Sequence, residues 1–457
     1  MSCVACSASV EPVGTRAGVL EQLAAFVCSA DARQLPLLDR QVQRRHIADT
    51  VVARMTGAAS HDGRLLAQVE SGAAETAAGI AALAASVRST EIDDIHLSSC
   101  TTVSSVVVPV ALGFAARKSV DPSPVASAIW AGTEIAIRLA TAFDGARVLY
   151  QGVWPTRTVA PLASAAVAAR MLGLDEKATA HALSLALMMT PSRIGRFSGE
   201  PSGRWIVLMA AVGDGIRAAE AAAGGFKGDL ALLDGPWLET MLGVPVAVET
   251  LTVGLGDTSV YPDLSLKPFC TSRQALSATV AMQQLLADGL DPSAILAVKV
   301  RVPSAYAGMI ATKLDPAVRA TGYISAGAQM AIAAFAPRQL WDVDRAGMLE
   351  DGRIRQLAGM VEVVADPSLD HHFPRQWPAD IEVTTKGGVL RKRILDAPGD
   401  PACRLDDDAL AAKAAAVLGH IGLEGSASEL LALAGDAATD GATCRRLAEI
   451  FVRGTPA

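Results

Sequence analysis

The sequence predicts a mainly α-helical protein with a smaller α+β region set into it, and three observations predict that class. Half of the 457 residues are apolar, with alanine prominent and only four Tyr and nine Phe, so small side chains let helices approach closely. Apolar residues recur at helical spacing through the first half of the chain and again near its end. Between those stretches Gly, Pro and strand-forming residues increase.

Taken in order, Val19, Leu20, Leu23, Phe26 and Val27 place an amphipathic helix over 18–28, and Ile47, Val51, Val52 and Met55 another over 41–57. Helices are expected next over 70–87, 103–115, 122–141, 159–172 and 176–188, with Asp121-Pro122 and Asp175-Glu176 as start signals. Segments 73–87 and 103–116 are so apolar that their helices should be buried on nearly all sides. A helix over 206–223 follows, and after Phe226-Lys227-Gly228 the pattern changes. Residues 296–302 read as a strand with Lys299 and Arg301 on the alternate face, and 381–385 with 389–395 flank the hairpin signal Lys386-Gly387-Gly388. Helices over 272–286 and 320–335 complete an α+β region. Helical spacing returns over 406–419 and 427–451, so the chain is expected to cross back to its first domain.

The length accommodates two or three domains. A net charge of −7 without any Lys/Arg block argues against nucleic acid as a partner. No apolar run reaches the roughly 18 residues of a membrane span, residues 1–16 lack a signal-peptide pattern, and a cytoplasmic location is expected. Seven scattered cysteines do not suggest a disulfide framework, and Cys3-Val-Ala-Cys6 has no second pair to complete a zinc set. No Gly-rich phosphate cradle follows a strand, so neither metal nor organic cofactor is expected.

Three polar interruptions stand out. Glu91-Ile92-Asp93-Asp94-Ile95-His96-Leu97-Ser98-Ser99-Cys100-Thr101-Thr102 packs three carboxylates, an imidazole, a thiol and four hydroxyls between two buried segments. It fits a solvated loop in which Asp93 or Ser98 caps the next helix, and it equally fits the wall of a site. A second interruption carries Tyr150, Gln151, Trp154, Pro155, Thr156 and Arg157. The third, with Arg193, Arg196 and Arg204 beside a helix start, suits a carboxylate ligand or, alternatively, a solvated loop.

Lys267-Pro268-Phe269-Cys270-Thr271-Ser272-Arg273 adds the decisive pattern. Together with the 91–102 stretch, Pro378-Ala379-Asp380-Ile381-Glu382-Val383, Gly387-Gly388, Ala397-Pro398-Gly399-Asp400 and Lys413, it resembles the MmgE/PrpD family, from about Gly18 onward. That family includes 2-methylcitrate dehydratase, cis-aconitate decarboxylase and iminodisuccinate epimerase. The resemblance implies a large all-helical domain with an inserted α+β lid domain, a homodimer, and a site for small polycarboxylates between body and lid. The corresponding boundaries are 1–260 and 403–457 for the helical domain and 261–402 for the lid. Glu91, Asp93 and Asp94 fit the family's acidic positions and Lys267 its lysine. Elsewhere the pattern changes: Ile95 replaces a threonine, Thr101, Trp154 and Ser272 replace histidines, Arg204 replaces a lysine and Ala328 a tyrosine.

The resemblance therefore implies a catalytic group of Asp93, His96, Lys267 and Thr101, with Asp93 or His96 as base and Lys267 as acid or charge stabiliser. Cys100 and Cys270 stay open as thiolates lowered by nearby cations. Arg204, Ser272, Arg273, Trp154, Thr156 and Cys100 are expected to bind a small-molecule carboxylate substrate, and Trp154 and Trp205 to make its pocket more apolar. Segments 91–102, 193–205 and 267–273 are expected to converge on one cleft. The expected activity is that of a cofactor-free lyase, a dehydratase or decarboxylase, acting on a citrate-like, alkylcitrate or substituted maleate-type polycarboxylate, with a specialised-metabolic substrate plausible. Two alternatives stay open on the same fold: an epimerase or isomerase, and a carboxylate-binding protein without turnover. Each residue also has a structural reading: a core or capping His96, a salt-bridged Lys267, inert buried thiols.

Overall fold

The computed structural model, described over residues 17–70, 75–190, 202–345, 347–437 and 440–455, is mainly helical with two small sheets. Cys3, Cys6, Arg193 and Arg196 lie outside the described residues.

One core cluster gathers helices Val19–Ser29, Leu37–Ala59, Ala77–Ser89, Ser104–Ala116, Val125–Ala142, Pro155–Leu172, Glu176–Met188 and Gly203–Ala223. Side chains of Asp407–Gly419, Ala427–Asp436 and Gly441–Arg453 join the same cluster. Small residues set the spacing: a Cβ added to Gly132 would lie 2.4 Å from a methyl of Val167. Asp175 caps Glu176–Met188 as expected, accepting from the Ala178 N–H at 2.7 Å. Other boundaries move for local reasons. Asp121 closes a turn by accepting from the Ser123 N–H, so its helix begins only at Val125. Pro155 opens its helix at a position where the missing N–H has no intrahelical partner to lose. The helix expected over 320–335 is two, Thr321–Ile324 and Ala326–Phe335, because Ser325 is extended and its hydroxyl accepts from the Ala328 N–H.

A second cluster forms on a four-stranded sheet. Antiparallel strands β1 (Asp94–His96) and β2 (Leu264–Leu266) pair separately. The larger sheet has order β4-β3-β5-β6, from β3 (Ile295–Val302), β4 (Val361–Ala365), β5 (Ala379–Thr385) and β6 (Gly388–Ile394). Only the β3–β4 pair is parallel. Val298, Val300, Val302, Ile381 and Val383 are buried in the cluster that also takes side chains of helix Arg273–Ala287, while the alternating Lys299 and Arg301 are half-buried. The clusters exchange members: Ile95, Leu97, Cys100 and Ala146 join the second, and Leu264, Leu266, Cys270 and Tyr323 the first. This exchange fixes the two parts against each other where β1 meets β2. Among the described residues no helix is long and apolar enough to cross a membrane.

Candidate active site

The 91–102 stretch is no solvated loop, since every residue in it except Ser98 is buried. Helix Ala77–Ser89 ends and Glu91 turns the chain in a left-handed conformation, φ 56°. β1 follows, then a turn at Cys100, φ 53°, that brings Thr101 back to pair with His96. The cap of helix Ser104–Ala116 comes from Asp94, not from Asp93 or Ser98. Its carboxylate accepts the Ser104 N–H at 3.1 and 3.2 Å and the Ser104 hydroxyl at 2.7 Å. From the C-terminal return, Lys413 pairs with Asp49 at 2.5 Å and donates to the Ile92 carbonyl at 2.8 Å. Gly399 steadies β2, its carbonyl accepting the Leu266 N–H at 3.0 Å; its φ of 95° and a Cβ only 1.8 Å from the Leu266 oxygen leave no room for a side chain.

Around Glu91 and Asp93 three cations gather. Arg88 lies 2.9 Å from Glu91 and 3.3 Å from Asp93. Lys267 donates to the Glu91 carboxylate, the Glu91 carbonyl and Asp93, each at 3.2 Å, so all three of its N–H donors are used. Arg204, at the start of helix Gly203–Ala223, donates to the other Glu91 oxygen. Burial alone would raise the Glu91 pKa, but Arg88, Lys267 and Arg204 together hold it well below the usual carboxylate range. Asp93 differs: burial, with Glu91 and Asp94 nearby, pushes its pKa up despite Arg88 and Lys267. Among the described residues Arg88 Nε, Arg204 Nε and Asp93 Oδ2 find no partner.

This cluster forms one end of a cavity of about 370 Å³, a volume suited to a small ligand. Arg88, Glu91, Cys100, Thr102, Arg204 and Lys267 line it from one side, and Ser272, Arg273 and Gln274 open helix Arg273–Ala287 on the other. Among the described residues the Ser272 hydroxyl caps no N–H and has no partner, although the residue is only 6% exposed. Arg273 is matched by Asp400, with its Nε 3.1 Å from one oxygen. The Thr102 N–H donates to the Thr156 hydroxyl at 3.1 Å, tying the two wall segments together. Leu149, Trp154, Met309, Val318 and Ile324 make the wall apolar elsewhere.

Of the expected residues, Lys267, Arg204, Ser272, Arg273, Trp154, Thr156 and Cys100 line this cavity. Asp93 stands behind Lys267. His96 and Thr101, expected in the catalytic group, do not reach the cavity wall. The His96 Nδ1 accepts the Ser99 N–H at 3.2 Å and lies 2.8 Å from the Ser99 hydroxyl, which donates to Thr101 at 3.0 Å. Burial lowers the His96 pKa to about 4. The thiolate readings fail for a similar reason, because burial pushes Cys100 up to about 12 and raises Cys270 as well. Trp205 is not on the wall; its ring lies under the Arg204 guanidinium at 4.2 Å and its Nε1 donates to Asp62. The expected group had omitted Arg88. It is the one charged residue in helix Ala77–Ser89, and a lone cation in so apolar a helix must find buried partners.

Comparison with family models decides what the chain is. The model of the MmgE/PrpD N-terminal domain matches residues 21–243, and that of the MmgE/PrpD C-terminal domain matches residues 269–434. The chain belongs to the MmgE/PrpD family. No curated protein matches it. In this MmgE/PrpD chain the cavity takes Arg88, Glu91 and Arg204 from the N-terminal match and Ser272, Arg273 and Gln274 from the C-terminal one, with Lys267 just before the latter begins. Among the described residues no group of three His, Cys, Asp or Glu side chains is placed to hold a metal ion.

Proposed function

We propose that this chain is a lyase of dehydratase type acting on a polycarboxylate in the 370 Å³ cavity, with residues 261–402 serving as a lid and a homodimer as the working assembly. MmgE/PrpD membership supports a dehydratase-like function in general. The observation that carries the finer reading is Lys267: its ammonium lies 3.2 Å from Asp93 on a wall that also presents Arg88 and Arg204. Two anchors suit carboxylates. One is the cation cluster, and the other is the start of helix Arg273–Ala287 with its unpartnered Ser272 hydroxyl.

Elimination of water needs a proton taken from a carbon beside a carboxylate and a proton given to the departing hydroxyl. In this reading Lys267 first passes a proton to Asp93, whose buried carboxyl holds one more readily than usual. The freed amine takes the proton from carbon and returns it to the hydroxyl. A C–H and a C–O bond break, a C=C bond and water form, and Lys267 ends as the free amine while Asp93 keeps the proton it was first given. Arg88 and Arg204 stabilise negative charge on the substrate carboxylate.

A second reading, carboxylate binding without turnover, is favoured by one observation: no described imidazole lines the cavity. The experiment is a thermal-shift and product screen across citrate, alkylcitrates, aconitates, and substituted maleates and succinates, since a ligand raises stability by mass action even where turnover is slow. Stabilisation with an unsaturated product supports the lyase. Stabilisation without any product supports the binding protein, and no stabilisation by any of them removes both.

A further inference from the structure

Among the described residues the cavity wall carries five charged side chains, Arg88, Glu91, Arg204, Lys267 and Arg273. Arg273 is matched one-to-one by buried Asp400, which leaves three cations and one carboxylate. Glu91 touches all three: Arg88 at 2.9 Å, Lys267 at 3.2 Å and Arg204 at its other oxygen. It does so from a left-handed backbone, φ 56°, which a non-glycine residue adopts only at a cost. Glu91 thus already fills one anion position within the cluster. Asp93, behind the wall, touches Arg88 and Lys267 and subtracts a further charge whenever it is ionised. Among the described residues the surplus is therefore at most two positive charges. A third ligand carboxylate would be drawn out of water against this wall without a matching cation, which is costly. The remaining wall, with Leu149, Met309, Val318 and Ile324, offers an apolar surface instead.

We propose that Glu91 sets the number of carboxylates the cavity accepts, limiting the ligand to two, with an uncharged remainder lying against Leu149, Met309, Val318 and Ile324. This rests on reading the cavity as a polycarboxylate site. Glu91 is then a specificity-determining residue, and the preferred substrate class is an apolar-substituted dicarboxylate.

The test is calorimetric titration of the full chain with two probes of nearly equal shape, ethylsuccinate and propane-1,2,3-tricarboxylate, which differ by an ethyl group against a carboxymethyl group. The wild-type chain should bind ethylsuccinate at least about tenfold more tightly, and Glu91→Gln should erase or reverse that ratio by adding one net positive charge. Arg204→Gln works in the opposite direction. It should weaken ethylsuccinate about tenfold more than it weakens the monocarboxylate pentanoate, and it supplies the test if Glu91→Gln does not fold. A merely structural Glu91 would lower both affinities together and leave the ratio alone, and that result overturns the proposal. Equal or tighter binding of the tricarboxylate by the wild-type chain also overturns it while leaving the polycarboxylate site standing. Failure of the wild-type chain to bind either probe, or any member of the wider carboxylate screen, overturns both.

Discussion

Two groups of polar side chains drawn from the same dozen residues end in opposite circumstances. Asp94, His96, Ser99 and Thr101 bond to one another's neighbourhood: Asp94 to the next helix start, His96 to Ser99, Ser99 to Thr101. Glu91 and Asp93 instead reach Arg88, Arg204 and Lys267, the last two more than a hundred residues away in the chain. The first group is closed and holds a tight turn together. Among the described residues the second keeps spare donors and an unpartnered oxygen beside a cavity. Density of polar residues marks both, and what separates them is whether the polar atoms are all partnered or left incomplete beside a cavity.

Lys267 gives the hardest test of that division. Lys267→Ala strips Glu91 and Asp93 of a shared buried cation, which should cost about 3–5 kcal/mol of stability, and it removes the proposed proton carrier, which should lower turnover about 10²–10⁴-fold. Product formation per folded molecule, on whichever carboxylate the screen identifies, is the measurement. Turnover within tenfold of wild type would place the chemistry elsewhere.

His96 tests the closed group through pH. Its pKa falls from the ordinary 6.5 to about 4 on burial, so the unfolded chain takes up the proton first as pH drops. The stability it contributes is present above about 6.5 and lost as pH falls toward about 4, amounting to about 3 kcal/mol. Asp93 works the other way: its raised pKa gives stability below the unfolded value that is lost as pH rises through the folded one. The difference between wild type and His96→Gln isolates the histidine. Denaturant unfolding from pH 7 to pH 4 should show a shallower pH dependence in the variant, and parallel curves would mean the imidazole is not the buried neutral group described here. Next in size, Asp94→Asn should cost about 1–3 kcal/mol, since the Ser104 N–H and hydroxyl lose a charged acceptor, while carboxylate affinity of the folded fraction stays unchanged.

Much of this was legible in the sequence. Periodicity located most helices because their burial is one-sided or complete over many turns, and the hairpin of β5 and β6 was marked by its glycines. β1, β2 and β4 were not, because three to five residues are too few to establish a period, and pairing across 170 positions leaves no local trace. At the site, Lys267, Arg204 and Ser272 were marked by motif and do line the cavity, whereas His96 and Thr101, assigned to the catalytic group from the same family motif over 91–102, do not. Which side of a turn an imidazole faces depends on the strand pairing that closes it, here His96 against Leu264 and Thr101.

The smallest effect expected separates holding a ligand from transforming it. Arg204 stacks its guanidinium on Trp205 at 4.2 Å and on Trp154 at 5.5 Å, bonds Glu91 with one nitrogen and, among the described residues, leaves Nε without a partner. A planar fork in that position offers several donors in fixed directions, so one side chain can join Glu91 and a ligand carboxylate at once. Arg204→Lys keeps the charge and removes the plane. The ammonium stays close enough to balance Glu91, so stability should change by less than about 1 kcal/mol, but a second carboxylate would have to compete for a single nitrogen. Affinity should fall about tenfold with turnover at saturation nearly unchanged, visible as a raised KM against a steady kcat. A fall in kcat without a change in KM would assign Arg204 to the transition state rather than to docking, and would move it from the open group's rim to its chemistry.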